Sequence, residues 1–191
     1  GVSIAKLSAG VFRTDLKMAD GRNIHYYDLG ETNRSAIDSR ESESRPKVGE
    51  LRLDLLTDEW IAMAPERQAR AFLPPKELCP LCASTADKKT EIPDSDYEVV
   101  IFGNRAPALT TPESNWEPPI ITGLDTPAAD AAGACEVVCY TSNHNTSFAK
   151  LSTQQIRTVL EAWKDRTAAL SKLPFIEQIF PFENRGEEVG I

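Results

Sequence analysis

One stretch of the chain carries a sustained helical repeat, and it limits the folds available to everything around it. Ile156, Val159, Leu160, Trp163, Thr167 and Leu170 recur every three or four positions, which places them on one apolar face of a helix. Ser152 with Gln155 three residues on reads as a capping box, and Pro174 stops the helix, so the predicted helix covers 152–171. A helix with a single apolar face must bury it against something. What the rest of the chain offers is short runs of strand formers: Ile24 to Tyr27, Leu51 to Asp54, Trp60 to Ala64, Tyr97 to Phe102, Cys135 to Tyr140 and Phe175 to Phe182. Strands outnumber helices and do not alternate with them, so the expected class is α+β with a largely antiparallel sheet and one main amphipathic helix. Asp20-Gly21 sets up an early hairpin, and Thr57-Asp58-Glu59 a second. Pro181 argues that the last run is an edge strand or carries a bulge.

Between these runs, residues 31–50 are polar and mixed in charge, with almost nothing to bury, and read as a flexible connector. The expected division is therefore an N-terminal extension and connector over 1–50 and a domain over 51–191. Pro74 and Pro75 end whatever helix or turn carries Arg67 to Phe72, and Pro107 to Ala132 reads as a Pro-rich loop. With 191 residues, 41% hydrophobic and 26% charged, the chain can bury one core and is not disordered. Its 29 acidic against 21 basic side chains, net −8, argue against a broad nucleic-acid surface. No run reaches the roughly 18 to 20 apolar residues of a bilayer span, and the default compartment is the cytoplasm.

Cys79-Pro80-Leu81-Cys82 is the sharpest chemical signal: two thiolates three positions apart in a tight turn can both approach one zinc ion at about 2.3 Å. Two ordinary half-buried thiols are the alternative. Cys135 and Cys139 cannot both join them if their segment is a strand, because four residues span roughly 13 Å, whereas two sulfurs on one zinc lie at most about 4.6 Å apart. Core packing suits that pair better. His144, just past the strand end, is a candidate third ligand or a polar loop histidine, and His25 sits in an aromatic run with no chemistry required of it. Arg67 and Arg70, three apart, would on one helical turn form a fork able to hold phosphate, or simply a solvated pair. Asn104 and Asn184 follow strand-like runs, where amides read a sugar or base edge or merely form turns.

Read together and in order, Arg52 to Trp60, Ala64 to Arg70, Cys79 to Cys82, Phe102-Gly103-Asn104, Cys139 to His144 and Phe182 to Gly186 resemble the first half of a galactose-1-phosphate uridylyltransferase, a branch of the histidine-triad superfamily. The resemblance spans about residues 50–191. Ala19 to Arg22 and Tyr26-Tyr27-Asp28 resemble the extension of some actinobacterial-type members. It implies a histidine-triad-like fold and transfer of UMP from UDP-glucose to galactose 1-phosphate through a uridylyl-histidine. Carried over by position, it makes Cys79, Cys82 and His144 three of four zinc ligands. Arg67 and Arg70 become phosphate-side arginines, Asn104 and Asn184 nucleotide-sugar contacts, and Gly190 a backbone contact near the phosphates.

Arg105 and Ala106 stand where many members have aspartate and phenylalanine, so Arg105 is a substrate-side candidate of altered chemistry. Leu55 and Asp58 replace a common proline and glycine. The family's histidine-proline-histidine segment, holding the fourth ligand and the nucleophile, belongs shortly after Gly190, and the chain ends at Ile191. The expectation is a chain inactive alone, binding zinc weakly through three ligands, and associating with itself or with a complementary C-terminal chain through a Phe175 to Phe182 strand. The rival expectations are a non-catalytic zinc-stabilised interaction module and a related nucleotide-sugar phosphorylase.

Overall fold

The structure, a computed structural model, describes residues 2–41, 49–64, 75–112, 114–118 and 126–186. Strands β1 (Ser3–Lys6), β2 (Val11–Lys17) and β3 (Asn23–Leu29) form an antiparallel meander. The β2–β3 turn carries Gly21 at φ +84°, a left-handed conformation that glycine adopts without strain. Strands β4 (Glu50–Asp54) and β5 (Glu59–Met63) pair as the second expected hairpin. After them come β6 (Val99–Gly103), β7 (Ala128–Asp130), β8 (Glu136–Cys139) and helix α1 (Thr153–Leu170). One sheet runs β1-β2-β3-β6-β8 and a smaller one β5-β4-β7, with every pairing antiparallel.

Alternation along the larger sheet separates two apolar layers. Ile24, Tyr26, Val100, Phe102 and Cys139 point to one face, where Ile92 and Tyr97 cover them. Tyr27, Val99, Ile101 and Val138 point to the other, where Val159, Ala162 and Trp163 of α1 pack. Each such aliphatic or aromatic side chain is worth about 1.5–3 kcal/mol when fully buried, so both faces of the sheet are committed. Ser152 caps α1 by accepting from the Gln155 amide at 3.1 Å. The reciprocal half of the capping box is absent: Gln155 Nε2 instead donates to the carbonyls of Glu98 and Tyr140, each at 2.8 Å, tying the helix start to the ends of β6 and β8.

Two expectations fail. Phe175 to Phe182 is not a strand: beyond α1 these residues are irregular, with Phe180 and Phe182 exposed. Leu173, Pro174 and the turn bond from Ile176 N–H to the Leu173 carbonyl send the chain past the sheet without joining a ladder, so the expected pairing edge does not exist in that segment. The Pro107 to Ala132 loop, for its part, contains β7, which pairs with β4, and Thr110 bridges Ala132.

Residues 31–41 have no regular structure, yet they bury charge. Arg34 donates to both Asp28 oxygens at 2.9 and 2.6 Å and stacks 5.2 Å above the Tyr26 ring. Arg40 and Arg22 meet on Glu91 at 2.9 and 2.6 Å. The connector and β3 are thereby tied to the segment 90–96 that covers one face of the sheet.

A candidate metal centre

That covering segment builds the site. Cys79 closes the 3-10 turn Lys76–Leu78, its amide donating to the Lys76 carbonyl at 3.3 Å. From Cys82 the chain doubles back, with Ala83 bridging Ile92 and the Ser84 amide donating to the Ile92 carbonyl at 3.0 Å. The returning arm holds the thiol turn by its carbonyls: Lys88 Nζ donates to Cys79 O at 3.0 Å, Thr90 Oγ1 to Cys82 O, and the Glu91 amide to Pro80 O at 3.0 Å. With its carbonyls engaged from behind, the turn presents its sulfurs on the other side.

His144 arrives from the loop that follows β8. Local bonds shape that loop: the Asn143 amide donates to Thr141 Oγ1 at 3.2 Å and the Asn145 amide to Asn143 Oδ1 at 3.1 Å. His144 Nδ1 lies 3.3 Å from Cys82 Sγ, and the donor atoms of Cys79, Cys82 and His144 all lie within 4.8 Å of one another. Zinc bonds of about 2.3 Å to sulfur and 2.0–2.1 Å to nitrogen require such spacings. Two thiolates and an imidazole suit a borderline-soft cation, and all three residues are only half buried, leaving a side open for a further ligand. Burial raises the Cys82 thiol pKa, and the adjacent Cys79 raises it further, against a smaller pull from Lys88 and Lys76.

The other cysteines stay out of the group. Cys139 is buried against Tyr97 and Ile92, with its thiol pushed up to about 12 by burial and then by the nearby Cys79 and Cys82. Cys135 precedes β8 at its far end, where its carbonyl accepts from the Asn104 amide at 2.8 Å. His25 lies across the sheet, on the α1 side, its Nδ1 2.6 Å from Asp15 Oδ1.

The described substrate-side candidates are Asn104, Arg105 and Asn184, and Glu183, beside Asn184, accepts from the Tyr140 hydroxyl at 3.2 Å. Asn104 follows β6 at the end away from His144, about 13 Å along the strand from Val100, and its Oδ1 accepts from the Ala106 amide at 3.0 Å, the turn-forming role. Arg105 and Asn184 are exposed, Asn184 in the irregular stretch after α1. Arg67, Arg70 and Gly190 lie outside the described residues. Sequence reasoning missed the supports, Lys88, Thr90, Glu91 and Tyr97. No spacing rule marks them, because each acts on a backbone carbonyl.

Residues 38–191 match the family described as galactose-1-phosphate uridyl transferase, N-terminal domain. A galactose-1-phosphate uridylyltransferase of Streptomyces lividans is 43% identical over 180 residues, covering 94% of this chain and 45% of the relative. One from Thermotoga maritima is 41% identical over 143 residues, 74% of this chain and 42% of the relative. A solved structure of a uridylyltransferase is 27% identical with a TM-score of 0.44, over 63% of this chain and 35% of that one. The chain thus spans a little under half the length of the curated relatives it matches.

Proposed function

The chain belongs to the galactose-1-phosphate uridylyltransferase family, and from that premise we propose that it acts as the N-terminal part of a UDP-glucose–hexose-1-phosphate uridylyltransferase, a nucleotidyltransferase of galactose metabolism. The observation that carries the reading is the convergence of Cys79, Cys82 and His144 within a chain matching this family over residues 38–191. Those three residues would hold zinc, which supplies fixed positive charge that keeps the thiols ionised and links the two loops. Free thiols at all four cysteines suit a reducing, cytoplasmic setting.

The substrates are UDP-glucose and galactose 1-phosphate, with Arg67, Arg70 and Gly190 toward the phosphates and Asn104, Arg105 and Asn184 toward the nucleotide sugar. Splitting UMP transfer into two displacements requires a protein nucleophile, which in the family this chain resembles is a histidine. Of the two histidines in the 191 residues, His144 belongs to the donor group and His25 is held by Asp15 on the opposite face. The resemblance assigns the attacking histidine to a histidine-proline-histidine segment that is not among these 191 residues, and in this reading it belongs to the same polypeptide or to a complementary C-terminal chain.

The test follows UMP exchange between UDP-glucose and galactose 1-phosphate. Turnover is expected from the whole reading frame that encodes this chain and not from residues 1–191 alone. Appreciable turnover by the 191 residues would refute the assignment of the nucleophile, and a complete protein that prefers ADP-glucose would refute the substrate.

A further inference from the structure

The two segments that carry the donor atoms are both loops, and 62 positions separate Cys82 from His144. Strand pairing and the helix hold the chain at Cys139 and Tyr140, just before the histidine loop, but neither reaches the thiol turn. The thiol turn is held from the 83–92 side, whereas the Asn143 and Asn145 bonds only shape the histidine loop internally and do not tie it to the thiols, which it meets through the Cys82–His144 contact itself. Among the hydrogen bonds of the described residues, one buried side chain reaches both segments. Tyr97 places its hydroxyl 2.9 Å from the Thr141 carbonyl and 3.3 Å from the Leu81 carbonyl. Leu81 lies between the two cysteines, and Thr141 lies three positions before His144.

From this geometry we infer that Tyr97 is a positioning residue for the metal site: its hydroxyl, shared between the Leu81 and Thr141 carbonyls, sets the distance between the thiol pair and the imidazole. The inference rests on the metal reading of the same three residues. A phenol has one proton to give, so the two bonds form a three-centre contact in which Thr141 is the nearer acceptor. The ring is 5% exposed and, two positions before β6, packs with Ile92, Val100 and Cys139, so the oxygen is held against the sheet by the core. Burial, reinforced by the neighbouring thiols, raises the Tyr97 pKa and keeps the proton available. Outside the core a weaker link runs in parallel, from Ser142 Oγ to Asp96 Oδ1 at 3.2 Å. Groups that orient metal ligands from the next layer out typically contribute about 10- to 100-fold in metal affinity.

Tyr97→Phe removes the oxygen and keeps the ring. The experiment loads the complete protein with zinc and measures its release to a chromogenic chelator, then replaces zinc with cobalt(II) and records the thiolate-to-cobalt and d–d bands. Tyr27→Phe is the control: it too deletes a buried hydroxyl, one bonded to Asp165 at 2.7 Å on the α1 face, and lowers stability without touching either loop. Release about ten-fold faster in Tyr97→Phe than in Tyr27→Phe, with altered cobalt bands, is the expected result. Release and spectra alike in the two variants overturn the inference. A wild-type protein that takes up neither metal overturns instead the metal reading beneath it, and that outcome is visible before any variant is made. If Tyr97→Phe does not fold, Tyr97→para-fluorophenylalanine, which fills the hydroxyl's space but cannot donate, carries the test: faster release than wild type supports positioning by the hydroxyl, and wild-type release overturns it.

Discussion

At the scale of single residues, charge is placed more deliberately than a net of −8 suggests. Asp28 and Arg34 are 2% and 7% exposed and meet through two hydrogen bonds. Arg34→Ala strands a buried carboxylate and should lower stability by about 3–5 kcal/mol in urea denaturation. Arg34→Lys keeps the charge but not the two-pronged geometry and should fall between. Burial alone would raise the Asp15 pKa, but hydrogen bonds from His25 and Arg13 outweigh it and hold the carboxyl at about 2. Since this lies below the ordinary carboxylate value, the stabilisation is present above about pH 4 and is lost as pH falls toward 2. Asp15→Asn should accordingly flatten that part of the acid-unfolding curve. Asp58 adopts φ +57° in the β4–β5 turn, a left-handed conformation that favours glycine, and Asp58→Gly should be neutral or stabilising by up to about 1 kcal/mol. Cys79 and Cys82 were legible as a pair from their spacing, whereas His144 read equally as a polar loop histidine until the family resemblance paired it with them. Arg34 was not, because in a polar run a buried arginine and a solvated one look the same until the fold supplies Asp28.

At the scale of elements, legibility followed how much of the signal is local. Helix α1 forms where its repeat and cap placed it, since both lie within twenty residues. Ser152→Ala should lower stability by about 1 kcal/mol. Gln155→Ala should also destabilise, by up to about 2 kcal/mol, because it leaves the carbonyls of Glu98 and Tyr140 without their donor; thermal unfolding of the two variants measures both. Strands were harder. Phe175 to Phe182 has the composition of a strand but no ladder to join, and Ala128–Asp130 has a weak composition but lies alongside β4, which pairs with it. Strand propensity describes fit to a pleated neighbour more than a preference of the backbone, so the neighbour's presence decides.

At the scale of the whole molecule, the larger sheet is covered by α1 on one face and by the thiol-bearing segment on the other. Metal held at Cys79, Cys82 and His144 therefore couples to the stability of the core beneath it. At zinc 100-fold above its dissociation constant, chelation should remove about 2.7 kcal/mol, visible as a reversible fall in the thermal midpoint of the complete protein. Cys79→Ser should start at the lower midpoint and ignore the chelator; zinc retained in full by that variant would contradict the ligand assignment. Periodicity and capping determined the fold class and the helix, and the thiol spacing singled out Cys79 and Cys82 as a pair, since each of these signals lies within a few residues; His144 entered as their partner only through the family resemblance. The folded molecule decided that His144 reaches Cys82, that Tyr97 spans the two loops, that residues 31–41 bury ion pairs and that the last apolar run stays unpaired. All four depend on which distant segments become neighbours, and that is set by the closing of the sheet.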